Sequence, residues 1–188
     1  MKIDRQLNLV RKIETDNGVY HVHSAPISRA VWEENFFILS QAYTSIFSGG
    51  FGATTGPKMA ALMLKRCAAK NGSPEEYTAL MNEIKRLTNV TFSTPKGWQT
   101  MPWESAVLSI DEEAIAEAEN AIVFFICVSA VLRGKSDKSK LDITLAMMGS
   151  LWDAQTTSLG ITEYAASLPI STTAAPIIES SPASSVVY

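Results

Sequence analysis

Residues 121–132 contain no charged side chain and a single polar one, Ser129. A segment this apolar is stable only where it is shielded from water. It is too short to span a bilayer as a helix, which takes about 20 residues. Glu112 and Glu113 precede it and suit the positive end of a helix dipole. The pattern predicts a helix over residues 112–133 that is packed on all sides at the centre of a domain.

Further helices are predicted where apolar residues recur at spacings of three and four. These segments are residues 29–48, 57–71, 74–88 and 139–153. Ser28 is a suitable N-cap, Pro57 a suitable first helical residue, and Ser73–Glu76 an S-x-x-E capping box. The first helix has an apolar stripe that we expect to face the core: Trp32, Phe36, Leu39, Tyr43 and Ile46.

The amino-terminal residues alternate as strands do. Residues 6–23 predict a β-hairpin whose turn contains Asn17-Gly18, a pair that tolerates positive φ. Residues 90–100 fit either a second small hairpin or an ordered loop. Residues 169–188 are rich in Ser, Thr, Ala and Pro and predict a disordered tail. The expected fold is therefore mainly α: one helical domain over residues 1–168, a small N-terminal β-hairpin and a flexible C-terminal tail.

Composition excludes several functional classes. Of the 188 residues, 46% are hydrophobic, which is enough for a sizeable core. Sixteen Lys and Arg against nineteen Asp and Glu leave a net charge of −3, so general nucleic-acid binding is not expected. Cys67 and Cys127 are too few for a disulfide framework or a four-cysteine zinc site. No signal-peptide pattern is present, which favours a cytoplasmic protein.

Catalytic and cofactor motifs are absent from the sequence. No G-x-S-x-G, H-E-x-x-H or C-x-x-C motif occurs. His21 and His23 would share one face of a strand, as two metal ligands do, but no third ligand lies nearby. The preferred interpretation is two surface histidines on an edge hairpin. We expect a protein without enzymatic activity, cofactor or metal, one that works by binding another protein.

The glycine-rich loop over residues 49–56 is the candidate contact for that partner. It does not match a P-loop, because Pro57 separates Gly56 from Lys58 and a helix precedes the loop. Glycines permit a mobile lip, and Phe51 places an aromatic ring within it. Phe51, Gly50 and Gly52 are therefore the predicted partner-binding residues.

The order of several segments resembles the tail assembly chaperones of long-tailed, siphovirus-like bacteriophages. The likeness covers most of residues 5–169. The stretches on which it rests are Arg5-Gln6-Leu7-Asn8-Leu9-Val10, His23-Ser24-Ala25-Pro26-Ile27-Ser28-Arg29, Leu80-Met81-Asn82-Glu83-Ile84-Lys85-Arg86-Leu87, Glu119-Asn120-Ala121-Ile122-Val123-Phe124-Phe125, Trp152-Asp153-Ala154-Gln155-Thr156-Thr157-Ser158, Thr162-Glu163-Tyr164 and Leu168-Pro169.

This resemblance implies an assembly factor made in the host cell cytoplasm and absent from the mature virion. Proteins of this family coat the long tape measure protein, keep it soluble and help to recruit the major tail tube protein. In the family, a frameshift extends the short product into a second domain. No catalytic residues are transferred, and the implied partners include neither nucleic acid nor a membrane. A homo-oligomer is compatible with this role.

Three other functions remain as alternatives. A structural virion protein, such as a head–tail connector or tail completion subunit, would form a stable ring and be present in purified particles. A small regulatory or nucleic-acid-binding factor would show salt-dependent DNA binding. A metal-dependent enzyme using His21 and His23 would contain bound metal.

Overall fold

The structure, a computed structural model, describes residues 7–16, 18–50, 52–72, 74–131 and 146–169. The strands are β1 (Asn8–Thr15), β2 (Gly18–Ser24), β3 (Thr88–Thr94), β4 (Gly97–Pro102) and β5 (Ala154–Thr157). The helices are α1 (Arg29–Glu34), α2 (Phe36–Ser48), α3 (Gly52–Thr55), α4 (Ala60–Lys70), α5 (Pro74–Arg86), α6 (Trp103–Ala106), α7 (Glu112–Val131), α8 (residues 146–152) and α9 (Ile161–Ser167), with a 3₁₀ turn at Pro57–Met59.

The expectation of a mainly α fold with one small hairpin is wrong. The five strands form a single antiparallel sheet in the order β4-β3-β2-β1-β5, so the fold is mixed α/β. Sequence periodicity underestimated this sheet because β3 is half Thr and Ser and β5 has only four residues. Short polar strands do not show the apolar alternation by which a strand is recognised.

The predicted N-terminal hairpin is confirmed, but it is part of the larger sheet. Leu9 pairs with Ser24 and Thr15 with Gly18, whose φ is +130°. The segment left open between hairpin and loop is a hairpin, with Thr94 paired to Gly97. β2 is consequently the middle strand of the sheet and not an edge strand.

Helix α7 lies at the centre of the core, as its apolar run predicts. Every residue from Ala121 to Val128 is buried. Asp111 caps the helix through its Oδ1, which accepts the Ala114 N–H at 2.8 Å. None of the helices in the described ranges is long and apolar enough to cross a membrane.

Other helix predictions were correct in position but not in their limits. The predicted helix 29–48 is interrupted at Asn35, which has φ −104° and ψ 15° and separates α1 from α2. Ser28 caps α1 as predicted, since its Oγ accepts the Val31 N–H. Ser73 of the predicted capping box, residues 139–145 and the predicted tail from residue 170 onwards lie outside the described residues.

The two faces of the sheet are covered by different elements. On one face, Arg11 of β1 lies opposite Val22 of β2, and its Nη2 donates to Glu117 of α7 at 2.6 Å. Neighbouring strand residues point to opposite faces, so His21 projects from the other face. There it meets Tyr164 of α9. The helical core and α9 therefore enclose the sheet between them.

Candidate protein-binding surface

Helix α2 is rich in exposed aromatic side chains. Seven large apolar side chains are exposed in the described residues, and three of these are Phe36, Phe37 and Phe47, with exposed fractions of 43%, 74% and 41%. The free energy falls when another protein covers such side chains and removes them from water. The exposed part of α2 is thus the most apolar helical surface that the structure shows.

One row of these residues runs along the helix, and we call it the aromatic stripe: Phe36, Ser40, Tyr43 and Phe47. Ser40 and Tyr43 are half-buried. The spacings of four, three and four residues place all four on one side of the helix. Sustained apolar spacing of this kind is the pattern by which one helix packs along another.

Ring contacts hold the stripe in place. Trp32 of α1 meets Phe36 edge-on with ring centroids 5.4 Å apart, and Tyr43 meets Phe47 at 5.1 Å. Phe47 also lies 5.9 Å from Phe124 of the central helix α7. Edge-to-face pairs at these distances stabilise by about 0.5–1.5 kcal/mol beyond their burial. The stripe is therefore a supported surface rather than a set of independent side chains.

The side of α2 next to the stripe is core. Ile38, Leu39, Ala42 and Ile46 are buried and face α4 and α7. The predicted core stripe is thus correct for Leu39 and Ile46, which are buried, and wrong for Phe36, which is exposed. Trp32 and Tyr43 are only half-buried. The buried side of α2 is therefore rotated about the helix axis relative to the predicted side.

A second feature adjoins α2 on its other flank. An open pocket of about 410 Å³ lies between the start of α2 and the turn that joins α4 to α5. Phe37, Glu34 and Glu76 are among its lining residues. Asn71 Nδ2 donates to Gln41 Oε1 at 3.1 Å across the pocket wall. We call it the Phe37 pocket.

The predicted partner-binding loop is only partly described. Gly50 and Gly52 are exposed and have φ of +78° and +75°, in the left-handed region that favours glycine. A Cβ at either position would meet no atom within 4 Å, so backbone conformation and not space requires glycine there. Phe51 lies outside the described residues. Its role in binding stays a prediction, and the loop begins within one turn of Phe47.

The interpretation of His21 and His23 as two surface residues on an edge hairpin is wrong. His23 is only 4% exposed and its Nε2 donates to the Leu159 carbonyl at 3.1 Å. His21 Nδ1 lies 3.0 Å from the Tyr164 hydroxyl. Burial lowers the pKa of both imidazoles. Each ring thus contacts α9 or the segment before it. No cluster of three potential metal ligands occurs in the described ranges.

Three methionines and both cysteines belong to the core. Met63, Met81 and Met148 are buried, so they do not form the adaptable surface that methionines offer at promiscuous interfaces. Cys67 and Cys127 are buried free thiols, and burial raises the pKa of Cys127 to about 12. A thiol with so high a pKa is a poor nucleophile.

The candidate site that geometry supports is therefore a binding surface made of the aromatic stripe and the Phe37 pocket. Comparisons with protein-family models, with curated proteins and with solved structures gave no match to this chain.

Proposed function

We propose that this protein is a tail assembly chaperone of a long-tailed bacteriophage. It binds the tape measure protein through the aromatic stripe, keeps that long helical protein soluble and helps to recruit the major tail tube protein around it. It acts in the host cytoplasm and leaves before the virion matures. Two observations support the proposal: the resemblance, which covers most of residues 5–169, and a surface suited to binding helices.

The observation on which the proposal rests most directly is the stripe itself. Phe36, Tyr43 and Phe47 present an exposed or half-exposed apolar row with helix-packing spacing on α2. An amphipathic helix of a partner would bury this row by packing along α2. A client with many such helices, as a tape measure protein has, would otherwise aggregate through its own apolar stripes.

Co-expression tests the proposal. The protein is produced together with the tape measure protein encoded downstream, and the soluble yield of that partner is compared with its yield when it is produced alone. We expect the partner to be soluble and to co-purify only when both are present. If the partner is neither solubilised nor retained, the chaperone function is wrong.

Particle composition provides the second readout. A chaperone is absent from purified phage particles, whereas a connector or tail completion subunit is present at fixed copy number. Detection of this chain in particles by mass spectrometry would replace the proposal with the structural alternative.

A further inference from the structure

The Phe37 pocket combines an exposed aromatic ring with negative charge. Phe37 is the most exposed phenylalanine of the described chain, and its ring packs against Phe36 at 5.7 Å. Glu34 and Glu76 both line the pocket, one at the end of α1 and the other in the first turn of α5. No lysine or arginine is among the pocket's described lining residues.

The two carboxylates have no cationic partner where the structure describes the chain. Neither Glu34 nor Glu76 belongs to any of its ion pairs, whereas neighbouring Glu33 is paired with Arg29 at 2.7 Å. Glu76 has a helical reason for its place, since acids favour a helix N-terminus. Glu34 is the last residue of α1 and directly precedes Asn35, the N-cap of α2, so the dipoles of the two helices act on it in opposite senses.

We propose that the Phe37 pocket binds a basic side chain, arginine or lysine, from an apolar helical segment of a partner protein. The aliphatic stem of that side chain lies on Phe37, where a cation gains from the negative face of the ring. Its charged group sits between Glu34 and Glu76 and satisfies both carboxylates. The volume of about 410 Å³ lies within the range of pockets that enclose small groups.

Competing charge does not cancel this attraction. The positive end of the α5 dipole is equivalent to about half an elementary charge and opposes a cation. Glu34, Glu75 and Glu76 supply three formal negative charges around that end. The formal charge of the pocket lining is therefore negative, which favours a cationic ligand over a neutral or anionic one.

The identity of the partner rests on the proposed function, in which the occupant is a segment of the tape measure protein. The chemistry of the pocket does not depend on that identity. Phe37 and Phe36 adjoin each other, so one partner helix can fill the pocket with its basic side chain and cover the stripe with its apolar side. The pocket would then set the register and direction of the helix that the stripe holds.

A peptide titration tests the pocket by itself. The probe is an amphipathic helical peptide of alanine, leucine and arginine, and its control is the same peptide with neutral citrulline at each arginine. Binding to the ¹⁵N-labelled full-length protein is followed by NMR through the side-chain amides of Gln41 and Asn71, which line the pocket. We expect the arginine peptide to shift both resonances and to bind about tenfold more tightly than the citrulline peptide.

Matched variants assign the effect to the two carboxylates. Glu34→Gln with Glu76→Gln should abolish the preference for arginine, whereas Glu104→Gln with Glu113→Gln, which changes the net charge by the same two units at exposed sites outside the pocket, should retain it. Equal binding of both peptides, equal behaviour of both double variants, or no shift at Gln41 and Asn71 would overturn the inference.

The same variants separate this inference from the proposed function. If the tape measure protein is solubilised but the peptide test fails, the function stands and the pocket inference is wrong. If the arginine peptide binds as expected but the tape measure protein is not retained, the pocket is confirmed as a basic side-chain site and the assigned partner is wrong.

Discussion

Arg11 connects three parts of the fold, and it is almost fully buried. Its Nη2 donates to Glu117 of α7, and its Nε donates to the Trp152 carbonyl at 3.3 Å. Nη1 has no partner among the described atoms. Burial lowers the pKa of this guanidinium, and the carboxylate of Glu117 opposes that shift. The strand, the central helix and the segment before β5 are joined at this point.

Glu117→Gln is expected to lower the free energy of unfolding by about 1–3 kcal/mol, because it leaves a buried guanidinium without its carboxylate. Urea denaturation measures the change. Glu112→Gln is the control, since Glu112 is exposed on the same helix and should change stability by less than about 0.5 kcal/mol. Equal stabilities of the two variants would show that the Arg11–Glu117 ion pair contributes nothing to folding.

The period of two places Arg11 on the same strand face as Leu9 and Ile13, and this was the one sequence signal for its burial. An isolated arginine in a predicted strand is ordinarily placed on the solvent side, because charged residues are rarely fully buried. Its partner Glu117 lies in the predicted helix over residues 112–133, where a carboxylate near the helix start is already favoured by the dipole. Long-range pairing over 106 positions leaves no trace in local spacing.

At the scale of elements, α9 shows how a short helix is held on a sheet. Beyond the two histidine contacts, Asn8 Nδ2 donates to the Leu159 carbonyl at 2.9 Å, and Trp98 Nε1 donates to the Pro169 carbonyl at 2.7 Å. Polar contacts thus attach α9 and its flanking segments to the sheet, beside the buried ring of Tyr164. Polar attachment of this kind depends on protonation.

Acid is expected to weaken the folded state through His21 and His23. Burial lowers the pKa of both, and Lys12, opposite His21 on β1, lowers that of His21 further, while Asp153 opposes the shift. The unfolded chain, with histidine pKa near 6.5, then takes up protons first. The histidine contribution is thus fully present above about pH 6.5 and is lost as the pH falls below it.

Urea denaturation between pH 7 and pH 5 measures this loss, in a range above the ordinary titration of carboxylates. The variant with His21→Gln and His23→Gln should have a shallower dependence on pH in the same range. A dependence that is unchanged in the variant would show that the histidines do not link protonation to folding.

Helices were predicted from the sequence far better than the sheet was. The cap at Asp111 and the burial of α7 follow from local rules that the residues obey. The side of α2 that faces solvent did not follow, because Phe36, Phe37, Ile38 and Leu39 are four successive apolar residues, and periodicity cannot orient a helix that is apolar on most sides. The pocket was missed because it joins Glu34 to Glu76 across elements that only the tertiary structure brings together.

In the whole molecule, the buried core and the exposed aromatic side chains lie in different places. The sheet, α4 and α7 form the core, while α1 and α2 present aromatic rings outward from it. The ion pairs Lys12–Glu14, Arg29–Glu33 and Arg86–Glu83 each include an exposed side chain, and such pairs contribute little to stability. The free energy of folding therefore comes mainly from the core, and the surface of α2 is free to be specialised for binding.

Ser40→Arg tests this specialisation most directly. Ser40 lies in the middle of the aromatic stripe, so an arginine there places a long charged side chain between Phe36 and Phe47 without removing any ring. Thr44→Arg is the matched control, since Thr44 is exposed one turn further along the same helix and outside the stripe. The measurement is the Kd of each variant for the tape measure protein, beside its thermal midpoint.

We expect Ser40→Arg to weaken binding at least about tenfold, because a charge buried in an apolar helix interface is left unpaired. Thr44→Arg should bind as the unchanged protein does, and both should retain its thermal midpoint. Equal affinity of both variants for the tape measure protein would contradict the assignment of the stripe as the binding surface.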